Sequence, residues 1–344
     1  AHVSAHGKVC STMKRNITID DVAREAGDSR QTVSRAINNK GEISPVTQHR
    51  VMDAIQKLGY RPSRVAQGLA TKRTFMAGLV ISDIANPFFP NVARGVQDAA
   101  RAAGYNVFVC NSDESLDEEL KTLQTLAAQG VDGIILFPNY RQETTLLQFI
   151  HQYRPLVVIN NNFEHPHISR VLTDNYRGVH LAIDYLTEKG HTRIGMVNGW
   201  LPSQHHGRRY RGFIDAMQAH NLPIAEGQII SGAPTLETGY QSTSQLLQRH
   251  SDLTAIFAYN DLLAVGAIRA CRSLGRRVPE DCAIVGFDDT YLASLVSPAL
   301  TTIRIEKYRL GQVSMQRLLE MIENPQNVYE PILLDVELVI RESA

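Results

Sequence analysis

The stretch Ile17-Thr-Ile-Asp-Asp-Val-Ala-Arg-Glu-Ala-Gly27-Asp-Ser-Arg-Gln-Thr-Val-Ser-Arg-Ala-Ile-Asn38 reads as two short helices around a tight turn. Val22, Ala23 and Ala26 give the first helix an apolar stripe, and Gly27 supplies the turn. Ser29 is placed to cap a second helix running through Val33 and Ile37. That second helix presents Arg30, Gln31, Ser34, Arg35 and Asn38 outward. Side chains of these types bond base edges and phosphates, as a helix seated in a DNA major groove requires. Ser44-Pro45 then opens a third helix, marked by Val46, Val51, Ile55 and Leu58 and closed by Gly59. The three form an all-α headpiece whose small core predicts marginal stability on its own.

Charge supports a polyanion partner for this end of the chain. The formal net charge of the 344 residues is zero, yet Ala1 to Arg73 carries 13 Lys/Arg against 6 Asp/Glu. The remainder carries 22 basic and 29 acidic residues, so a basic head sits on an acidic body. No apolar run has membrane-spanning length, so a soluble chain with no membrane partner is expected, and a cytoplasmic, nucleoid-associated location with it. Cys10, Cys110, Cys271 and Cys282 lack metal-ligand or redox spacing. Cys110 and Cys282 read as buried thiols of a reducing compartment. No cofactor is expected, and His205-His206 lacks a third ligand for a metal. Residues 1–15 read as a disordered or non-native extension, with Met13 the expected initiator.

Past the headpiece (16–60), residues 61–74 begin at Arg61-Pro62 and include Gly68, which weakens any helix there. The segment is either a plain linker or one that orders only when bound. From Phe75 onward, short apolar strands alternate with amphipathic helices, the rhythm of parallel sheets built by right-handed crossovers. Strands are expected at Met76–Ile81, Asn106–Cys110, Gly133–Phe137 and Leu156–Ile159. A second series comprises Val171–Leu172, Ile194–Val197, Ala255–Phe257 and Ala283–Phe287. The two series imply an α/β body (75–344) of two lobes, each a doubly wound sheet. The first lobe takes residues 75–174 and 304–330, the second 175–303 and 331–344. A ligand is expected in a cleft at the carboxyl ends of the strands.

The chain resembles the lactose/galactose-repressor family of bacterial transcription regulators, whose body is similar to periplasmic sugar-binding proteins. The resemblance rests on Asp21-Val-Ala-Arg-Glu-Ala-Gly27, Thr32-Val-Ser-Arg35, Leu58-Gly-Tyr-Arg-Pro62, Asp83-Ile-Ala-Asn-Pro-Phe-Phe89, Asn260-Asp261, Val285-Gly-Phe-Asp-Asp289 and Leu300-Thr-Thr-Ile303, in that order. It implies major-groove reading by Ser29, Arg30, Gln31, Ser34 and Arg35. Backbone contacts would come from Thr18, Thr32, Asn38, Thr47 and Tyr60. It also implies a hinge helix at Val65, Ala66 and Leu69, with Leu69 wedged into a minor-groove step; ordinary helix packing is the alternative for Leu69. Asn86, Phe88, Asn160, Arg209, Asn260 and Asp288 fall on sugar-binding positions, although Asn260 and Asp288 would serve equally as helix caps.

The sequence departs from the family pattern in several places. Asp28 stands where an apolar residue is usual, so it must face water or help cap the second helix. Asn160-Asn161 replaces an Asp-Arg pair, and Pro234 stands where some sugar-responsive relatives carry tryptophan. His205, His206, Arg208 and Arg209 crowd one loop that would welcome a sugar acid or sugar phosphate as well as a sugar. The expected function is a homodimeric repressor reading a roughly palindromic operator, its affinity set by a small-molecule effector. The rivals are a solute-binding protein, which would not need the headpiece, and a regulator answering a nucleoside or purine co-repressor. An enzyme is not expected, because neither a Gly-rich phosphate loop nor a Gly-x-Ser-x-Gly elbow is present.

Overall fold

The computed structural model describes residues 17–37, 43–60, 73–138, 149, 153, 155–161, 163, 165, 168–200 and 204–344, without the side chains of 204–206. These residues form two compact units that divide between Thr74 and Phe75. Asn38, Val65, Ala66, Leu69 and the side chains of His205 and His206 therefore lie outside the described residues.

In the first unit, α1 (Ile19–Ala26) begins at a reciprocal cap. The Thr18 hydroxyl accepts from the Asp21 N–H, and the Asp21 carboxylate accepts the Thr18 N–H at 2.9 Å. Gly27 ends the helix at φ 65°, where glycine carries no steric penalty. Ser29 caps α2 (Arg30–Ile37) by accepting the Thr32 N–H at 3.1 Å. Ser44 does the same for α3 (Pro45–Leu58) through the Thr47 N–H. Val22, Val33 and Val51 meet at the centre, surrounded by Ala23, Ala26, Ala36 and Ala54. Val46, expected among the apolar markers of the third helix, is 74% exposed and takes no part in this core.

The second unit holds two six-stranded sheets and, among the described residues, helices that include α5 (Leu116–Ala128), α8 (Leu236–Arg249) and α10 (Tyr291–Leu295). The first runs β11 (Ile332–Leu334), β5 (Ile168–Thr173), β4 (Leu156–Ile159), β3 (Gly133–Leu136), β1 (Met76–Ile81), β2 (Asn106–Asn111), all parallel. The second runs β12 (Val336–Val339), β10 (Thr301–Ile305), β9 (Ala283–Asp288), β8 (Ala255–Ala258), β6 (Ile194–Asn198), β7 (Ile229–Ser231), with only β12 antiparallel. Two expectations change. The Val171–Leu172 strand pairs with β4 and so belongs to the first sheet, not the second series. Residues 332–334, expected in the second lobe, pair with β5 in the first. Sheet membership depends on non-local pairing, which periodicity does not report. Cys271 and Cys282 are buried as small apolar groups, while Cys110 lies half-buried on the edge strand β2.

The chain passes between the sheets three times, at 173–175, 305–307 and 334–336. After the first passage α6 (Asn175–Glu188) packs on the second sheet. After the second, α11 (Lys307–Glu323) packs on the first. There α11 crosses α4 (Phe88–Ala102) so closely that a Cβ on Gly95 would strike the Tyr308 carbonyl. These passages bring the carboxyl ends of both sheets beside the segments that join them.

Candidate functional site

Arg209, in the second turn of α7 (Gln204–Ala219), is the centre of the site and is almost completely buried. Its Nε donates to Asn175 Oδ1 at 2.9 Å and its Nη2 to Asp288 Oδ1 at 3.1 Å, while Nη1 donates to the Tyr259 carbonyl. The guanidinium lies 3.7 Å from the Phe287 ring centroid and 4.4 Å from that of Tyr259. A buried cation is thus neutralised by one carboxylate and sandwiched by two aromatic faces. Burial, partly offset by Arg209 and Lys307, holds the Asp288 carboxyl above its ordinary range.

Asp288 ends β9 with φ 108° and Asp289 follows at φ 49°, both in the region that favours glycine. Side chains around the turn hold it there. Asp289 accepts from Arg304 and Arg341, each at 2.7 Å. Asp261, at the start of α9 (Asp261–Ser273), accepts the Thr290 N–H and hydroxyl and the Thr302 hydroxyl.

The other sequence-predicted effector residues each also hold the local backbone or core. Asn160 sits at φ 54° and its Oδ1 takes the N–H and hydroxyl of Thr173, at 2.7 and 2.9 Å. Asn260 is the cap of α9, its Oδ1 accepting the Leu263 N–H at 2.9 Å. Asn86 turns the chain into α4 by accepting the Phe88 N–H, and Phe88 packs edge-on against Phe89 and Phe137. Asn175, Thr173 and Tyr259 were not singled out from sequence. Asn175 Nδ2 donates to Thr173 Oγ1 at 3.1 Å. A polar chain therefore runs Asn160–Thr173–Asn175–Arg209–Asp288.

In the headpiece, Arg30, Gln31 and Arg35 are exposed on α2, and Arg30 lies 71% open beside Asp20 at 3.9 Å. Asp28 neither caps α2 nor faces water freely: its carboxylate pairs with Arg50 of α3. An acid is accommodated because α3 presents a guanidinium opposite it, which fixes the turn between α1 and α2. The hydroxyls of Thr18, Thr32 and Thr47 all join caps, and Tyr60 packs against the small core.

Residues 18–63 match the bacterial regulatory proteins of the lacI family, and residues 183–344 match a periplasmic binding protein-like domain. The HTH-type transcriptional repressor PurR of Photorhabdus laumondii is 36% identical across 95% of this chain and 96% of its own length. The ribose operon repressor of Halalkalibacterium halodurans is also 36% identical, with 95% and 96% covered. The crystal structure of the lac repressor dimer bound to operator and the anti-inducer ONPF superposes with TM-score 0.87 at 31% identity. That match covers 96% of this chain and 99% of the other. The chain belongs to the LacI family.

This LacI-family chain is thus a DNA-binding transcriptional repressor, with a helical reading head and a two-sheet α/β body. Among its described residues, no helix is long and apolar enough to cross a membrane.

Asp261 gives the LacI-family body a measurable pH signature. Burial and the nearby Asp288 push its carboxyl from 3.8 up to about 7, against the hydroxyl and N–H donors that favour ionisation. The folded state therefore holds a proton that the unfolded state has already released. Stability from this group is present at low pH and is lost as pH rises from about 4 to about 7, on the order of 4 kcal/mol. Asp261→Asn keeps an acceptor but removes the titration. Urea unfolding at pH 4.5 and 7.5 is expected to show a smaller drop for Asp261→Asn than for the parent protein; equal drops would refute the assignment.

Proposed function

We propose that the repressor's operator affinity is set by a neutral sugar or sugar derivative bound beside Arg209 and Asp288. The observation that carries this reading is the charge-balanced Arg209–Asp288 bridge at the carboxyl end of β9, with the partly exposed Tyr259 ring beside it. An aromatic face such as that of Tyr259 covers the apolar side of a sugar ring, and a fixed guanidinium–carboxylate pair offers donors and acceptors to its hydroxyls. Because Asp288 already neutralises Arg209, the pair favours an uncharged ligand over a sugar acid or phosphate. Glu114 adds acidity: half-buried, with its carboxyl raised by burial, it acts electrostatically on Tyr259. The ribose operon repressor is a relative consistent with this class.

For the reading head, Ser29, Arg30, Gln31, Ser34 and Arg35 are assigned to the major groove. Thr18, Thr32, Asn38, Thr47 and Tyr60 are assigned to the DNA backbone, and Ala66 and Leu69 to the minor groove. A homodimer would place two such heads on a palindrome. Its formation is supported by the edge strand β2, whose Phe108 and Val109 are exposed near the apolar Ile84. The resulting regulator works in the cytoplasm on nucleoid DNA.

A thermal-shift screen with D-ribose, other neutral sugars, sugar acids, sugar phosphates and purine bases tests the effector class. A ligand at one hundred times its dissociation constant adds about 2.7 kcal/mol of stability. Stabilisation by a neutral sugar is expected. Stabilisation only by a purine or only by anionic sugars would replace the neutral-sugar reading.

A further inference from the structure

Lys307 is buried where two effects oppose an ammonium group. It is 8% exposed, and it is the first residue of α11, at the positive end of that helix's dipole. Glu306, which precedes the helix, offers no side-chain cap there. The Nζ nevertheless finds three main-chain acceptors, the carbonyls of Asp288, Asp289 at 2.8 Å and Ile305 at 3.3 Å. Desolvation pulls the ammonium below its ordinary range, opposed by the fields of Asp288, Asp289, Asp261 and Glu306. A methionine of similar volume would fill this space without any of these penalties.

The placement explains what the ammonium does. Asp288 and Asp289 adopt φ 108° and 49°, which ordinary side chains rarely tolerate, and their carbonyls are the atoms Lys307 grips. The same Asp288 presents its carboxylate to Arg209. Lys307 also stands at the 305–307 passage between sheets, and Asn175 stands at the 173–175 passage. The polar chain through Arg209 and Asp288 therefore joins two of the three passages. We propose that Lys307 is a positioning residue that holds the Asp288–Asp289 turn in its binding geometry and ties that turn to the passage between lobes. Its effect on effector binding rests on the function proposed above; its hold on the turn does not.

Hydrogen exchange of the full-length protein, followed by mass spectrometry, tests the hold directly. Lys307→Met is expected to speed exchange in peptides covering 286–291 at least tenfold, leaving peptides from β8 unchanged. Lys307→Gln, which retains a donor, serves if the Met variant fails to fold, and is expected to speed exchange less. Lys307→Arg is expected to restore slow exchange. Unchanged exchange at 286–291 in both Lys307→Met and Lys307→Gln would overturn the proposal, as would a uniform rise across the second sheet. A parallel D-ribose titration separates the two readings. If the parent protein ignores D-ribose while the exchange result holds, the ribose assignment fails and the positioning role stands.

Discussion

Replacing Arg209 by methionine is expected to destabilise the body by about 3–5 kcal/mol and lower its melting temperature by about 10 °C. The reason is the charge left behind rather than the contact removed. Asp288 is buried beside Arg209, so removing the guanidinium leaves a largely desolvated carboxylate with only the field of Lys307 to offset it. The Tyr259 carbonyl and Asn175 Oδ1 lose their donor at the same time. The signature is diagnostic in two ways. The Asp288 carboxyl already stands above its ordinary range, and without Arg209 it rises further. The folded state of Arg209→Met then takes up a proton as pH falls, and its deficit shrinks on acidification. Adding Asp288→Asn to Arg209→Met removes the stranded charge and is expected to recover more than half of the loss. Differential scanning calorimetry at pH 7.5 and pH 5 checks both; a deficit that grows on acidification contradicts the account.

The second large effect concerns the reading head. Val22→Asp is expected to unfold the headpiece while leaving the melting of the body unchanged. Four of the seven buried residues there are alanines, so Val22, Val33 and Val51 supply most of the apolar area. A unit of this size holds only about 3–5 kcal/mol, and an unpartnered carboxylate at its centre consumes that margin. Operator affinity is expected to fall to the non-specific level, at least about 1,000-fold weaker. Fluorescence anisotropy with labelled operator measures the loss, and calorimetry follows the body. Retained specific binding would show that the three valines are not the core that positions α2.

The sequence carried the local devices plainly because each depends on neighbouring residues. The caps at Ser29 and Ser44, the glycine terminations at 27 and 59, and the strand cores all follow from short-range spacing. Long-range partners were not legible. Asp28 read as a solvent-facing or capping acid because Arg50 lies a whole helix away. Asn160 read as an effector residue, and the bonds its oxygen accepts from Thr173, thirteen residues on, were not visible. Lys307 has no signature in the sequence, since nothing local reveals that three carbonyls surround it. The family resemblance marked Arg209 and Asp288 as effector positions; their mutual bridge, and the rings around it, required the fold.

The central claim is that one chain couples a DNA-reading head to a ligand-binding body. Its most direct test is operator affinity measured with and without the sugar that stabilises the protein, using an operator selected from genomic fragments. The account predicts at least a tenfold change in operator affinity, about 1.4 kcal/mol of coupling, which disappears in the Arg209→Met/Asp288→Asn protein. A compound that saturates the body and leaves operator affinity unchanged would contradict it.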